Sequence, residues 1–314
     1  MATIVVLVVA LALFVVGAEL LLSGVAALAR ALRVPTVLIG LTLVPLATSA
    51  PELIVSISAA TAGQSELAIG EVVGTNTLNV LFILGLLALV APLRVSAHVV
   101  RSQVPIMICV SVLMLALSYD GRIGRGAGVL LLVLMIGHVA YLNRAARRSH
   151  RGGAFQDSVV RDVPGTIKGA GWVILGGAIL ALSAQTVVST ATATATQIGM
   201  SPHKVGLMFV AAGTSLPELA TTIVAVAKGE HDLAVGNVIG SNIFNGLTVL
   251  GITAIVAPDG LAVPAAMVSF DLPVMLAAAL LCYPIVLSRG VIDRWEGGVL
   301  LGSYLSYVAF AWFW

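Results

Sequence analysis

An internal repeat at a fixed offset is the feature that most constrains how this chain folds. Residues 40–85 match residues 206–251 without a gap, so equivalent positions are 166 residues apart (206 minus 40). The first copy reads Leu-Ala-Thr-Ser-Ala-Pro-Glu-Leu at 46–53, and the second reads Ala-Gly-Thr-Ser-Leu-Pro-Glu-Leu at 212–219. An ungapped repeat of this length predicts two halves with the same local structure.

The composition excludes an ordinary soluble domain. Hydrophobic residues make up 59% of the chain and charged residues 10%, with a mean hydropathy of +1.09. Apolar runs of about 20 residues, the length that crosses a bilayer core, recur along the sequence. The start, Met-Ala-Thr-Ile-Val-Val, lacks a positive n-region and predicts a first membrane helix rather than a cleaved signal. Cys109 and Cys282 predict neither a disulfide framework nor a zinc pair. The net charge of +2, with no large basic block, argues against nucleic-acid binding.

Ten membrane spans are predicted from the apolar runs and the short polar links between them. Their approximate bounds are 3–28, 35–61, 66–91, 99–118, 124–143, 166–192, 203–227, 232–257, 263–287 and 295–313. Equivalent spans of the two halves are five apart, an odd number, so they cross the membrane in opposite directions. The predicted fold is an all-α polytopic membrane protein with about ten transmembrane helices in two inverted five-helix repeats. The first repeat covers 1–143, a linker covers 144–165, and the second repeat covers 166–314.

The distribution of Lys and Arg orients the spans. With both termini outside, thirteen of the 16 basic residues fall on the inner side. The outer links then hold the other three, Arg122, Arg125 and Lys204. Because cytoplasmic loops carry an excess of Lys and Arg, both termini are predicted outside and the 144–165 loop in the cytoplasm.

Each copy of the repeat places a carboxylate inside an apolar stretch, directly after a proline. Pro51 has no amide hydrogen, so a helical carbonyl loses its partner beside Glu52. The second copy does the same with Pro217 and Glu218. A buried acid in lipid is costly, so two acids in matching frames indicate a functional site. Hydroxyls accompany both acids, from Thr48, Ser49, Thr214 and Ser215.

A second element of each copy adds amides and hydroxyls. Thr75 and Asn79 are four residues apart and share a helix face, as do Ser241 and Asn245. Glycines four residues apart precede them in both copies, a spacing typical of close helix packing. Together the two copies offer carboxylates, amides, hydroxyls and carbonyls, the hard oxygen ligands that suit sodium, calcium or magnesium.

Other polar residues in the apolar runs have less specific interpretations. Glu19 fits either a helix interface or the cavity of the predicted site. Its equivalent in the second copy is the neutral Gln185. Asp271 is expected near the membrane interface. The histidines share no spacing and are interpreted as structural or solvated: His98, His138, His150, His203 and His231.

At the paired Thr-Ser-x-Pro-Glu and Gly-Ser/Thr-Asn-x-x-Asn elements, the sequence resembles the calcium/cation antiporter superfamily and, within it, the sodium/calcium exchanger branch. The resemblance covers both halves. It implies ten helices, with spans 2, 3, 7 and 8 around a central ion site, and exchange of calcium for sodium by alternating access. It implies side-chain ligands at Thr48, Ser49, Glu52, Thr75, Asn79, Thr214, Ser215, Glu218, Ser241 and Asn245, joined by the backbone carbonyls of Pro45 and Ala211.

The sequence departs from the pattern of that branch at several positions. Some sodium/calcium exchangers carry an Asp where this chain has Asn245, which leaves two site carboxylates, enough to balance one calcium or two sodium ions. Glu71 stands where the second copy has Asn237. We therefore include Glu71 in the predicted site, on the hypothesis that it supplies the charge for a third sodium ion.

Alternative functions remain open from the sequence. A proton/calcium exchanger is the nearest, because a buried carboxylate can carry a proton in place of sodium; the proton-coupled branch tends to have Gly-Asn in place of Thr-Ser, which favours sodium. A cation channel is less favoured. An intramembrane enzyme is disfavoured because the sequence has no His-Glu-x-x-His or Gly-x-Ser-x-Gly motif. No enzymatic activity and no cofactor are expected. The expected partners are calcium, sodium or protons and the bilayer of the plasma (inner) membrane, with the chain taken as a monomer.

Overall fold

The computed structural model describes residues 2–32, 41–97, 99–151, 163–197 and 199–313, most of them helical. The helices of the first half are α1 (Ala2–Leu32), α2 (Leu43–Thr48), α3 (Ala50–Thr61), α4 (Ser65–Leu78), α5 (Leu84–Val90), α6 (Val104–Ser118) and α7 (Arg125–Arg151). Those of the second half are α8 (Val163–Gln197), α9 (Pro202–Lys204), α10 (Ala211–Thr214), α11 (Leu216–Ala227), α12 (His231–Phe244), α13 (Leu250–Val256), α14 (Leu272–Arg289) and α15 (Arg294–Phe313).

Several of these helices are joined by π-helical turns, in which the chain gains one residue per turn. They are π1 (Asn79–Ile83), π2 (Val99–Gln103), π3 (Val205–Val210), π4 (Asn245–Val249) and π5 (Met267–Asp271). Four short strands complete the elements: β1 (Leu93–Arg94), β2 (Arg122–Ile123), β3 (Leu261–Ala262) and β4 (Val291–Ile292). The strands and the π turns were not predicted from the sequence.

Apolar helices long enough to cross a bilayer make this an integral membrane protein. Within the described ranges, seven helical stretches have the required length and hydropathy: Ser65–Val90, Val99–Ser118, Arg125–Arg144, Gly165–Ser183, Pro202–Ala227, His231–Val256 and Met267–Leu287. Val15–Leu28 and Ala50–Thr61 are shorter apolar stretches. Predicted span 2 began at residue 35, and its first residues, up to 40, lie outside the described part of the chain.

The helices extend further into the predicted 144–165 linker than hydropathy indicated. α7 continues to Arg151, and α8 begins at Val163. Residues 152–162 lie outside the described part. Ala and Arg are strong helix formers and dominate 144–151, so the α-helix outlasts the apolar run that hydropathy detects.

A proline breaks a helix at the same place in each half, as the sequence predicted. Ser49 separates α2 from α3, and Ser215 separates α10 from α11. The two serines have ψ values of 14° and 0°, well away from the value of about −42° that is typical of an α-helix. Pro51 and Pro217 follow as the second residues of α3 and α11 and lack the amide hydrogen that would continue the hydrogen-bond ladder.

The helices that follow the breaks form the centre of the molecule. The most apolar stretches of Ser65–Val90 and His231–Val256 are each 83% buried. Glycines let neighbouring backbones approach them closely. A Cβ added at Gly74 would lie 2.3 Å from the carbonyl oxygen of Leu207. The predicted use of glycine spacing for close packing is confirmed at this position.

The long helices α1 and α8 pack against each other as a pair. Glycines let their backbones approach closely: a Cβ added to Gly24 would lie 2.7 Å from the carbonyl oxygen of Gly169, and one added to Gly176 would lie 2.5 Å from the backbone nitrogen of Leu21. α1 also contacts α11, and α8 contacts α2, α3 and α10. The pair therefore lies against the broken helices of both halves.

Short contacts join the links between spans into two groups. β1 pairs antiparallel with β4, which brings together the links after predicted spans 3 and 9. The amide of Ser96 donates to Asp232 at 2.7 Å, which adds the link after span 7. β2 pairs antiparallel with β3, and Arg125 donates to the carbonyl of Pro258 at 3.2 Å, so the links after spans 4 and 8 form a second group.

Candidate functional site

Two buried carboxylates lie directly after the two helix breaks. Glu52 and Glu218 occupy the first turns of α3 and α11, and both are fully buried. Glu52 lies within electrostatic range of Glu218. The N-terminus of a helix carries partial positive charge, which stabilises each carboxylate in part. Neither acid forms an ion pair with a Lys or Arg of the described ranges, so the remaining charge calls for a cation.

The two carboxylates differ in the hydrogen bonds they accept. The hydroxyls of Ser49 and Ser241 donate to the same oxygen of Glu218, Oε1, at 3.0 and 3.3 Å. Among the residues that the structure describes, the other oxygen of Glu218 and both oxygens of Glu52 have no hydrogen-bond partner. An unpaired buried acceptor costs about 1–3 kcal/mol. Three such oxygens in one region indicate a position for a positively charged ligand.

Threonine hydroxyls at the breaks lie within hydrogen-bond distance of backbone carbonyls. The hydroxyl of Thr48 lies 3.1 Å from the backbone carbonyl four residues earlier and 3.5 Å from Oδ1 of Asn237. The hydroxyl of Thr214 likewise lies 3.1 Å from the carbonyl four residues earlier. Ser215 and Thr75 place their hydroxyl oxygens 3.5 Å apart. A hydroxyl that donates to the protein keeps its oxygen lone pairs available for a cation.

Glu71 is a third buried carboxylate in the same polar region. Ser56 donates to its Oε2 at 2.6 Å, and Thr214 lies 3.1 Å from its Oε1. At the equivalent position, the amide nitrogen of Asn237 donates to Thr221 at 3.1 Å. The two halves therefore keep similar polar contacts at this position, while only the first half carries a charge.

Two asparagines of the repeat present unpaired oxygens. Asn79 and Asn245 are fully buried, and the Oδ1 atom of each has no hydrogen-bond partner within the described part of the chain. They are the first residues of π1 and π4, and π turns of this kind occur often at functional sites. Their amide nitrogens donate to Asn242 and Asn76, respectively, each in the opposite half of the chain.

The two predicted carbonyl ligands lie at the breaks. The carbonyl of Pro45 accepts from the amide of Ser49 at 2.9 Å, and that of Ala211 accepts from the amide of Ser215 at 3.0 Å. A carbonyl oxygen has two lone pairs, so that of Pro45 retains capacity for a further partner, whereas that of Ala211 also lies 3.3 Å from the hydroxyl of Thr214.

Glu19 and Asp271 lie in other ion pairs and hydrogen bonds. The carboxylate of Glu19 is half exposed and pairs with Lys228 at the end of α11. The side chain of Asp271 is buried in the protein, and its position near the membrane interface stays a prediction. It pairs with His203 at 2.8 Å and accepts from the hydroxyl of Tyr307 at 2.9 Å.

Sequence reasoning did not assign roles to Asn76, Asn242 and Ser56, which contact the predicted site residues. The signal for the two asparagines was present, because both occur in the repeated Gly-Ser/Thr-Asn-x-x-Asn element. Ser56 carried no comparable signal.

The chemistry of the cluster is that of oxygen ligands. In the described part of the chain, no group of three or more His, Cys, Asp or Glu residues is arranged to hold a metal ion. The region instead combines acids with hydroxyl and amide oxygens, a donor set suited to hard cations rather than to soft metals.

Comparisons with known proteins agree with this geometry. The chain is 38% identical over 317 residues to "Inner membrane protein YrbG" of Escherichia coli (strain K12), covering 96% of this chain and 94% of that protein. It is 29% identical over 343 residues to "Sodium/calcium exchanger MaX1" of Methanosarcina acetivorans, covering 96% of each.

The fold is also that of a solved structure, the sodium-calcium exchanger NCX_Mj. The two match with a TM-score of 0.81 and 24% identity over 98% of this chain and 97% of that one. A family model described as "Sodium/calcium exchanger protein" matches residues 2–143 and 168–313, and so includes both helix breaks and both buried acids. The chain therefore belongs to the sodium/calcium exchanger protein family.

Proposed function

We propose that this chain is a secondary antiporter that exchanges calcium for sodium across the membrane by alternating access. The observation that carries the proposal is the set of buried, unpaired oxygens on Glu52, Glu218, Asn79 and Asn245. Calcium takes six to eight oxygen ligands, and side-chain oxygens of this kind meet that need when hydroxyls join them. The similarity to the sodium/calcium exchanger MaX1 supports the same pair of ions.

The proposed ion site takes equivalent ligands from both repeats, with Glu71 added from the first repeat alone. Its ligands fall into carboxylates, amides, hydroxyls and backbone carbonyls, with Glu71 as a third source of charge. They are Glu52, Glu218, Glu71, Asn79, Asn245, Thr48, Ser49, Thr75, Thr214, Ser215, Ser241, Pro45 and Ala211.

Exchange follows from the charge of this site. With the acids ionised and no cation bound, a change between inward-open and outward-open states carries uncompensated charge through a dry environment, which costs several kcal/mol. Bound calcium or sodium cancels that charge and lowers the barrier. Because both ions use Glu52 and Glu218, one ion excludes the other, and the result is exchange rather than leak.

The parts that move in this proposal are α1 and α8. They pack closely on each other through Gly24 and Gly169, and together they contact the broken helices of both halves. A paired unit of this kind can slide across the site while α4 and α12 stay fixed around it.

The proposed architecture has ten membrane helices in two inverted repeats, 1–143 and 166–314, joined by the 144–165 linker. The contacts between links support it, because spans that alternate across the membrane put links 3, 7 and 9 on one side and links 4 and 8 on the other. Arg94, Lys228 and Arg294 belong to the first group, whereas Arg122 and Arg125 belong to the second. The positive-inside rule then puts the first group in the cytoplasm and both termini outside, in an inner membrane.

Calcium uptake into proteoliposomes tests the function. Purified protein is reconstituted, and uptake of radioactive calcium is measured with a sodium gradient and a pH gradient imposed separately. Calcium for sodium exchange predicts uptake that depends on internal sodium and not on the pH gradient. Uptake driven by the pH gradient without sodium identifies a proton/calcium exchanger, and uptake that needs neither counter-ion identifies a channel.

Substitution of either buried acid tests the site. E52Q and E218Q are expected to abolish sodium-driven calcium uptake while the protein still inserts and purifies. E66Q is the matched control, because Glu66 is an exposed acid in the first turn of α4 and belongs to no part of the proposed site. Wild-type transport rates in E52Q or E218Q contradict the assignment.

A further inference from the structure

We infer that Asn76 and Asn242 are positioning residues that determine which end of the Asn245 and Asn79 amides faces the ion. The inference rests on the proposed function and goes beyond its ligand set. A side-chain amide has one acceptor end and one donor end of nearly equal shape, and only the oxygen end attracts a cation. A site that uses two such amides therefore needs a device that prevents each of them from turning over.

Two backbone carbonyls determine the orientation of Asn76 and Asn242. The Nδ2 atom of Asn76 lies 3.4 Å from the backbone oxygen of Asn242, and the Nδ2 atom of Asn242 lies 3.1 Å from the backbone oxygen of Asn76. A backbone carbonyl only accepts hydrogen bonds, so the nitrogen end of each amide must face it. The sulfurs of Met114 and Met107, at 4.0 and 3.5 Å from these nitrogens, are weak acceptors that favour the same orientation.

Asn76 and Asn242 in turn orient the amides of the predicted ligands Asn245 and Asn79. With its nitrogen held, Asn76 presents Oδ1 to the nitrogen of Asn245 at 3.3 Å. Asn242 presents Oδ1 to the nitrogen of Asn79 at 3.0 Å. The amide nitrogens of Asn79 and Asn245 each donate one hydrogen bond in this way, and their Oδ1 atoms are left buried with no partner among the described residues. The only atoms of Asn79 and Asn245 that remain available to an ion are oxygens.

The contacts cross between the two halves of the chain. Asn76 on α4 orients Asn245 at the end of α12, and Asn242 on α12 orients Asn79 at the end of α4. Each repeat therefore positions the amide of the other. The arrangement also ties α4 to α12 at their crossing, in agreement with a pair of helices that stays fixed while others move.

The same geometry accounts for an amide at position 245. An ionised aspartate there has no proton to donate, so its carboxylate faces the Oδ1 atom of Asn76 without a hydrogen bond. Asn76 cannot turn its nitrogen toward it without leaving the backbone oxygen of Asn242. The asparagines at 76 and 245 are therefore matched to each other.

Calcium dependence of transport tests the positioning role. N76A and N242A are each expected to raise the KM for calcium about tenfold or more, the usual effect of removing a residue that orients a metal ligand. The substitution at 76 leaves its backbone oxygen in place, so Asn242 still holds Asn79. T77A is the matched control and is expected to change the KM less than twofold. Thr77 is fully buried on the same helix, and its hydroxyl donates to the carbonyl of Val73 at 2.8 Å rather than to a predicted ligand.

A double-mutant comparison separates positioning from general damage. If Asn76 acts through Asn245, N76A is expected to raise the KM for calcium little further when N245A is already present. N76A and N79A act on different ligands, so the factors by which they raise the KM are expected to multiply, although both residues lie on the same helix. The pair of Asn242 and Asn79 gives an independent second cycle. Multiplicative effects within the 76–245 and 242–79 pairs, or a T77A defect as large as that of N76A, overturn the inference.

Binding measurements keep this test separate from that of the proposed function. Equilibrium binding of radioactive calcium to detergent-purified protein yields a Kd for the folded fraction of each variant without any transport. Absence of sodium-driven uptake in the wild type contradicts the exchange function. If the wild type binds calcium but the substitutions within each asparagine pair multiply in their effects on Kd, the positioning role alone is contradicted. Absence of any calcium binding contradicts both proposals.

Discussion

Replacement of Glu71 by glutamine tests whether the third buried acid sets the charge that the exchanger moves. Glu52, Glu218 and Glu71 are fully buried, and none of them pairs with a Lys or Arg of the described ranges. Three ionised acids are neutralised by three sodium ions, whereas the two acids left in E71Q are neutralised by two sodium ions or one calcium ion. The number of sodium ions exchanged per calcium is therefore expected to fall from three to two.

The difference is large on the scale of a membrane potential. Exchange of three sodium ions for one calcium moves one net charge per cycle, which is worth about 2.3 kcal/mol at 100 mV. That energy corresponds to roughly 50-fold in the calcium gradient at equilibrium. Exchange of two for one moves no net charge, so the potential has no effect on it. The amide is expected to fit, because Asn237 fills the equivalent position and donates to Thr221 at 3.1 Å.

The assay is the calcium gradient that proteoliposomes reach at a fixed sodium gradient. A potassium gradient with valinomycin sets the potential to zero or to about 100 mV, and the wild type is expected to respond by roughly 50-fold. E71Q is expected not to respond, and E66Q, an exposed acid on the same helix, is expected to behave as the wild type. A wild type without voltage dependence, or an E71Q variant that keeps it, refutes the charge count.

Two further predictions concern polar contacts outside the central cluster. D271N removes a buried carboxylate that binds His203 and Tyr307, and it is expected to destabilise the protein by about 1.5–3 kcal/mol in thermal unfolding, with Y307F costing less because it removes one hydrogen bond. An equal melting temperature for D271N and wild type contradicts this. The exposed pair of Glu19 and Lys228 is worth up to about 1 kcal/mol, so E19K and K228E are each expected to alter exchange rates by up to about fivefold, and the charge-swapped double variant to restore them. Failure of the swap to restore the rate argues against a direct role for the pair.

The helix breaks were predictable from the sequence because their cause is local. The missing amide hydrogen of Pro51 or Pro217 ends a hydrogen-bond ladder within one turn, whatever the rest of the chain does. The apolar runs likewise predicted membrane helices, because a bilayer leaves few alternatives to an uninterrupted helix. Position in the repeat then located Glu52 and Glu218 in the same frame of each half.

Contacts between distant residues were not predictable in the same way. Asn76 and Asn242 are 166 residues apart and meet only because α4 and α12 cross at that level, which no local pattern specifies. The repeat showed that both copies contain the asparagine but not that each copy orients the other. The π turns that begin at Asn79 and Asn245 have no sequence signature of their own. The partners of Asp271 depend on the register between helices for the same reason.

The positions at which the two halves differ have a particular place in an exchanger built from inverted copies. Two identical copies give inward-open and outward-open states of equal energy, because each state is the other viewed from the opposite side. Glu71 has the neutral Asn237 as its equivalent in the second half. Lys228, which pairs with Glu19, has Ala62 as its equivalent in the first half. A difference of about 1 kcal/mol shifts a two-state population roughly fivefold. Single side chains without a counterpart in the other half are therefore enough to favour the inward-open or the outward-open state, while both states use the same oxygen ligands.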